Sequence, residues 1–170
     1  MELLRNAVRS YAWGSRTAIA ELLGNPVPAP HPQAELWLGA HPADSSALLH
    51  ADGSQTSLVA ALRTDPARHL GTCCVGRWGD RLPFLLKVLA AEEPLSLQAH
   101  PSAQQAAEGF AREDAMGIPR DASERNYTDA SHKPELICAL TELHALAGFR
   151  HPRRTVELLG VLDVPQLEPY

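Results

Sequence analysis

The stretch Leu82 to Pro101, LPFLLKVLAAEEPLSLQAHP, constrains the fold of this 170-residue chain more than any other. Phe84 to Leu89 and Leu95 to His100 are apolar enough, and close enough across Ala90 to Pro94, to read as neighbouring strands. Alternate residues of a strand share a face, so Ser96, Gln98 and His100 point one way while Leu95, Leu97 and Ala99 point the other. A Gln and a His at i and i+2 can reach one metal ion, and Pro101 breaks the strand just beyond them. An edge strand that turns a polar face to water gives the same pattern, so the spacing alone leaves both readings open.

The rest of the chain reads as short strands with helices around them. Leu3 to Val8 is an expected first strand, followed by a turn at Trp13-Gly14 and a short helix capped by Ser15, with Ile19, Leu22 and Leu23 on one face and Gly24 closing it. Four prolines between Asn25 and Gln33 mark a loop, which ends where Ala34 to Gly39 (AELWLG) predicts a strand. Two short helices are expected over Ser57 to Arg63 and Pro66 to Leu70, the second behind an Asp65 cap with proline in its first turn. Ser102 caps a helix to about Ala115, and Gly117 to Ser131 lacks periodicity, as a long ordered loop or lid would. Glu135 to Leu140 and His144 to Phe149 resemble another strand pair, and the spacing of Val156, Leu158, Leu159, Val161 and Leu162 is helical. The sum is a mainly β body with peripheral α-helices, a sandwich or partial barrel, followed by the start of a helical segment.

Composition narrows the function. A formal charge of −5, with no basic run beyond Arg153-Arg154, lacks the footprint that holds a nucleic acid backbone. Glu2, Arg5 and Arg9 interrupt what would be the apolar core of a signal peptide, and Lys87 interrupts the most apolar stretch, so no membrane partner and a cytoplasmic location are expected. Three cysteines, two of them adjacent at Cys73 and Cys74 and none in C-x-x-C spacing, read as free thiols. Of the 15 basic residues only Lys87 and Lys133 are lysines. Arginine supplies fixed charge but cannot exchange a proton near neutrality, whereas a desolvated lysine can, so these two positions invite a chemical role.

Lys133 sits in His132-Lys133-Pro134-Glu135, where a strand is expected to follow the long loop. Glu135 offers an anionic oxygen to set beside an imidazole and an amide, a mixed donor set that suits zinc or a neighbouring divalent metal. A solvated cluster of charges in a loop is the bland alternative. Glu35 and Trp37 alternate with Leu36 and Leu38, which turns Glu35 toward either a pocket or water, and Trp13 fits turn packing as well as a sugar platform. His31, His41 and His151 precede prolines and read as turn residues.

Taken together, YAWGS (Tyr11 to Ser15), AELWLGAHP (Ala34 to Pro42), the Leu82 to Pro101 stretch, ERNYTDASHKPEL (Glu124 to Leu136) and AGFR (Ala147 to Arg150) resemble the type I mannose-6-phosphate isomerases of the cupin superfamily, in their bacterial form. The resemblance implies an incomplete cupin-like jelly roll over residues 1–150 and the beginning of a helical domain over 151–170. It also implies one zinc ion held by Gln98, His100 and Glu135, with Lys133, His132 and Lys87 as catalytic groups and Ser96, Glu35 and Trp13 lining the substrate site. The implied reaction interconverts mannose 6-phosphate and fructose 6-phosphate through a cis-enediol. Family members run to more than twice this length and carry an H-A-Y-L-type histidine, the fourth zinc ligand, and an R-A-G-L-T-P-K-type arginine motif. Neither motif occurs here, so a truncated form is expected, with a non-catalytic cupin-like module that binds metal or sugar phosphate as the alternative.

Overall fold

The computed structural model describes residues 3–164 of the chain. They divide into two compact units, 3–98 and 99–164.

All eight strands among the described residues belong to the first unit. The expected first strand is split at Asn6 into β1 (Leu3–Arg5) and β2 (Ala7–Arg9), which join different sheets. Next come α1 (Ala18–Leu22), β3 (Glu35–Leu38), and the very short β4 (Ala40–His41) and β5 (Asp44–Ser45), which pair with each other. After β6 (Ala47–Leu49) and β7 (Gln55–Ser57) the chain enters α2 (Leu58–Thr64) and α3 (Pro66–Trp78), then β8 (Leu86–Leu89). Three strands form an antiparallel sheet in the order β1-β6-β7, and three form a second in the order β2-β3-β8. Among the described residues these sheets stay open, so the body is strand-rich and cupin-like without closing into a complete jelly roll.

Ser46 ties the two sheets together where strands change over. Fully buried, it donates to Asn6 Oδ1 at 2.8 Å and accepts from the Gly39 N–H at 3.0 Å, while its own N–H reaches the Gly39 carbonyl. Buried polar groups cost free energy unless paired, and here each break in a strand supplies the partner that the other needs.

The β2-β3-β8 sheet is two-faced because side chains alternate along each strand. Val8, Leu36, Leu38 and Val88 pack with Ile19 and Ala90 into the core of this unit. α1 closes that core with Ile19 and Ala20, both fully buried, whereas Leu22 and Leu23, expected on the inner face, are exposed. A helix of five residues is too short to present a long stripe, so only its central pair reaches the sheet. Ser15 caps it from two residues before the formal cap, its Oγ accepting from the N–H groups of Thr17 and Ala18. The Trp13-Gly14 turn needs glycine for contact reasons, since a Cβ on Gly14 would stand 2.6 Å from the Ala34 backbone.

α3 runs eight residues past the expected end at Leu70, with a break at Gly71 (φ 77°, ψ 157°) that joins two helical pieces. Asp65 caps it as expected, accepting from the Arg68 N–H at 3.1 Å.

The second unit contains α4 (Ala103–Ala115) and α5 (Pro152–Leu162). Ser102 and Gln105 form a full capping box at the start of α4, each side chain accepting from the other's backbone N–H. α5 begins with Pro152 in its first turn, and His151 Nδ1 accepts from the Arg153 N–H.

Three expected strands are absent from the described residues. Leu95 to His100 forms no ladder, nor do Glu135 to Leu140 and His144 to Phe149. A strand exists only when a neighbouring backbone takes its N–H and C=O groups, and no such neighbour pairs with these segments. Their apolar side chains accordingly stand in solvent: Leu97 is 91% exposed and Leu136 96%. No helix among the described residues is long and apolar enough to cross a membrane, and the three cysteines are free.

Candidate active site

Antiparallel register determines which polar groups meet on the outer face of the β2-β3-β8 sheet. Arg9 lies opposite Glu35, and Trp37 lies opposite Ala7 on one side and Lys87 on the other. Glu35, Trp37 and Lys87 therefore share one surface, the face away from Leu36 and Val88. Glu35 is 8% exposed and is held by two donors: the Trp37 indole N–H at 2.7 Å and Lys87 Nζ at 3.5 Å. Lys87 Nζ also stands 5.0 Å from the Trp37 ring centre, and the Arg9 guanidinium 5.2 Å from it. Arg9 is fixed in turn by Asp44 at 2.8 Å, and that bond, with one to Tyr11 second, raises an already high pKa and keeps the group cationic. His41 meets the Trp37 ring edge-on at 4.9 Å.

This face answers the question left open by the AELWLG alternation: Glu35 turns to a packed array of charged and aromatic groups. Lys87 and Glu35 are brought together. Trp13 stacks on Tyr11 at 5.6 Å, and its carbonyl accepts from the N–H groups of Glu92 and Glu93. Ser96 and Gln98 lie exposed in the segment after β8, so the shared strand face expected for Ser96, Gln98 and His100 does not form. Sequence reasoning gave no site role to Arg9 or Asp44, read His41 as a turn residue, and noted Trp37 only for its alternation with Glu35. The alternation that paired Glu35 with Trp37 was the available signal, but Arg9 required the strand register.

In the second unit, His100 and Glu135 approach each other although 35 positions separate them, with Nδ1 4.0 Å from Oε2. Two bonds of about 2.0–2.2 Å meeting at a tetrahedral angle span roughly 3.4 Å, so an inward shift of about half an ångström would let both atoms reach one zinc ion. An imidazole nitrogen and a carboxylate oxygen fit that metal by donor type, and both side chains are partly open to solvent. Among the described residues there is no cluster of three His, Cys, Asp or Glu.

Lys133 reaches Asp129 Oδ2 at 3.0 Å and the Ser131 carbonyl at 3.3 Å, while His132 is exposed. Just upstream, the segment expected to be an ordered loop is ordered by a buried knot. α4 buries Ala106, Gly109 and Glu113 on one stripe. A carboxylate on such a stripe requires partners, which is the sequence signal that could have found this feature. Glu113 accepts from the N–H groups of Tyr127 and Asn126 and from the Asn126 amide. Arg125, whose side chain is wholly buried, reaches Glu113 at 3.3 Å and Asp114 at 2.7 Å and donates to the carbonyls of Ile118 and Tyr127. Burial pushes the Glu113 carboxyl up, but the Tyr127 and Asn126 hydrogen bonds and the Arg125 charge together outweigh it and hold its pKa below the ordinary value.

Residues 1–152 match the family described as phosphomannose isomerase type I, catalytic domain. The chain is 49% identical over 159 residues to mannose-6-phosphate isomerase of Escherichia coli (strain K12), covering 94% of this chain and 40% of that protein. It is 35% identical over 170 residues to the human enzyme of the same name, covering 95% of this chain and 37% of the relative. A crystal structure of the Salmonella typhimurium isomerase bound to fructose 6-phosphate and zinc superposes with a TM-score of 0.70 at 49% identity, over 78% of this chain and 33% of that one. The chain thus spans about 40% of the length of the bacterial relatives it matches. With the matched region covering nearly all of its residues, the chain belongs to the type I phosphomannose isomerase family.

Proposed function

We propose that this chain carries part of the catalytic apparatus of an aldose–ketose isomerase that interconverts mannose 6-phosphate and fructose 6-phosphate in the cytoplasm. In this reading residues 1–150 are the N-terminal part of the cupin-like catalytic domain and 151–170 open a helical domain. The observation that carries it is the approach of His100 to Glu135 at 4.0 Å, next in sequence to the His132-Lys133 pair. Free cysteines suit a reducing compartment.

Gln98, His100 and Glu135 are the proposed zinc ligands, and zinc, when bound, polarises the sugar oxygens and lowers the cost of negative charge on them. Lys133, assisted by His132, takes the proton from C2 of the opened aldose as O1 gains a proton, which gives the cis-enediol. Returning a proton to C1 while O2 loses one completes the ketose, so hydrogen is redistributed within the sugar and no oxidant is consumed. Lys87 offers positive charge to an oxygen or to the phosphate, and its fixed place between Glu35 and the Trp37 ring limits the entropy lost on binding. Ser96, Glu35 and Trp13 are the proposed substrate-binding groups.

The test is a coupled assay for fructose 6-phosphate formed from mannose 6-phosphate, run on the 170-residue chain after metal removal and zinc addition. Zinc-dependent turnover is expected only when the remaining part of the catalytic domain is supplied as a separate polypeptide, and its loss there in Gln98→Ala and Glu135→Ala. A second reading, a non-catalytic module that binds metal or sugar phosphate, is favoured by the solvent exposure of Glu135, 54% at its side chain. Zinc uptake by a folded chain that gives no turnover even with that remaining part supplied would support this second reading and overturn the first.

A further inference from the structure

The second unit holds a buried ionic cluster that the proposed chemistry does not use. Arg125 has no exposed side-chain surface, and it bonds two carboxylates and two backbone carbonyls while lying 5.1 Å from the Phe110 ring centre. Both carboxylates, Glu113 and Asp114, come from the last turn of α4, whereas the carbonyls belong to Ile118 and Tyr127. The cluster thus fastens both ends of an eight-residue excursion, 119–126, to one helix end. Tyr127 is fastened a second time, its N–H on Glu113 at 2.8 Å and its ring against Gly109, where a Cβ would come within 2.5 Å.

Two residues beyond Tyr127 the chain turns at Asp129, whose carboxylate accepts the Ser131 N–H at 2.8 Å and the Lys133 ammonium at 3.0 Å. Glu135 follows two residues later, 4.0 Å from His100. From Tyr127 to Glu135 there is no helix or strand to hold the backbone. The place of Lys133 and Glu135 is then set by what anchors the segment upstream.

We propose that Glu113 and Arg125 are positioning residues: by pinning the 118–127 segment to α4, their buried pair places the Asp129 turn and, through it, Lys133 and Glu135. This rests on the roles given above to Lys133 and Glu135. A solvated loop could carry the same residues, but it would have to be ordered anew whenever sugar or metal bound, and a satisfied buried network removes that cost beforehand.

The chain has two lysines, one in each unit, so competitive labelling with acetic anhydride reads Lys133 against Lys87 within one sample. Arg125→Gln and Glu113→Gln are each compared with the parent, and hydrogen exchange across α4 reports whether the helix survives. The expected result is a rise of about threefold in Lys133 labelling relative to Lys87, the scale set by releasing one exposed ion pair, with α4 amides still protected. Unchanged labelling in both variants overturns the proposal. So does a rise that appears only when α4 loses protection, because the cluster then merely holds the unit folded. Zinc titration of the same proteins separates this inference from the reading on which it rests. A parent that binds no zinc refutes the ligand assignment while the labelling ratio still judges the positioning role. A parent that binds zinc is expected to do so about tenfold more tightly than either variant, the usual effect of losing support behind a ligand.

Discussion

The indole N–H of Trp37 on Glu35 is a contact whose strength can be worked out before it is measured. Glu35 sits on the outer sheet face at 8% exposure with two donors, and the Trp37 bond, at 2.7 Å, is much the shorter. Trp37→Phe deletes that donor, keeps an aromatic ring over the sheet, and leaves Lys87 at 3.5 Å as the remaining partner of Glu35. A hydrogen bond to a charged group contributes about 1.5–3 kcal/mol, and one between neutral groups about 0.5–1.5. In the parent the substitution should therefore cost about 1.5–3 kcal/mol from the bond alone, plus a smaller amount for the lost ring volume. In the Glu35→Gln background the acceptor is neutral, the volume loss is the same, and the bond contributes less. The double-mutant cycle isolates the difference, a coupling of about 1 kcal/mol. Urea unfolding followed by far-UV circular dichroism measures all four proteins, provided the slope with denaturant stays constant across them. Additive costs, with a coupling below about 0.3 kcal/mol, would show that Glu35 and Trp37 are neighbours without being partners.

Two further outcomes follow from the same kind of reasoning. Gly14→Ala should destabilise the first unit by about 1–3 kcal/mol or more, because its Cβ would meet the Ala34 backbone at 2.6 Å and backbone cannot step aside as a side chain does; thermal unfolding reads the loss. The Glu113 carboxyl titrates lower folded than unfolded, so its contribution is complete above the ordinary glutamate value near 4.5 and disappears as pH falls through the lowered one. Exchange rates of the Asn126 and Tyr127 amides should accordingly rise in that acid window, and Glu113→Gln should flatten the dependence; an unaltered profile in that variant would remove Glu113 as the cause.

What could be read from the sequence divides along the range of the interaction concerned. Local signals served well: Ser102 ahead of α4, Asp65 with Pro66, and Ser15 ahead of α1 all cap through groups within three residues. The two-residue strands β4 and β5 escaped because pairs such as Asp44-Ser45 have no apolar alternation to show, and α3 was cut short because a helix seldom continues past a glycine such as Gly71. Leu95 to His100 shows the opposite failure. Its alternation is genuine, but alternation states which face a strand would present and says nothing about whose backbone pairs with it. The same distinction applies to the site. Glu35 and Trp37 were placed on one face by their spacing, yet the facts that give this face its chemistry are Lys87 opposite Trp37 and Arg9 opposite Glu35, and those belong to register. His100 and Glu135 had no local link at all; donor chemistry suggested setting them together and the order of family motifs favoured it, with no periodicity to do so. Because nonlocal pairing joins so many of the candidate site residues, they are best tested in pairs across strands and loops, where a single substitution would confuse a lost contact with a lost fold.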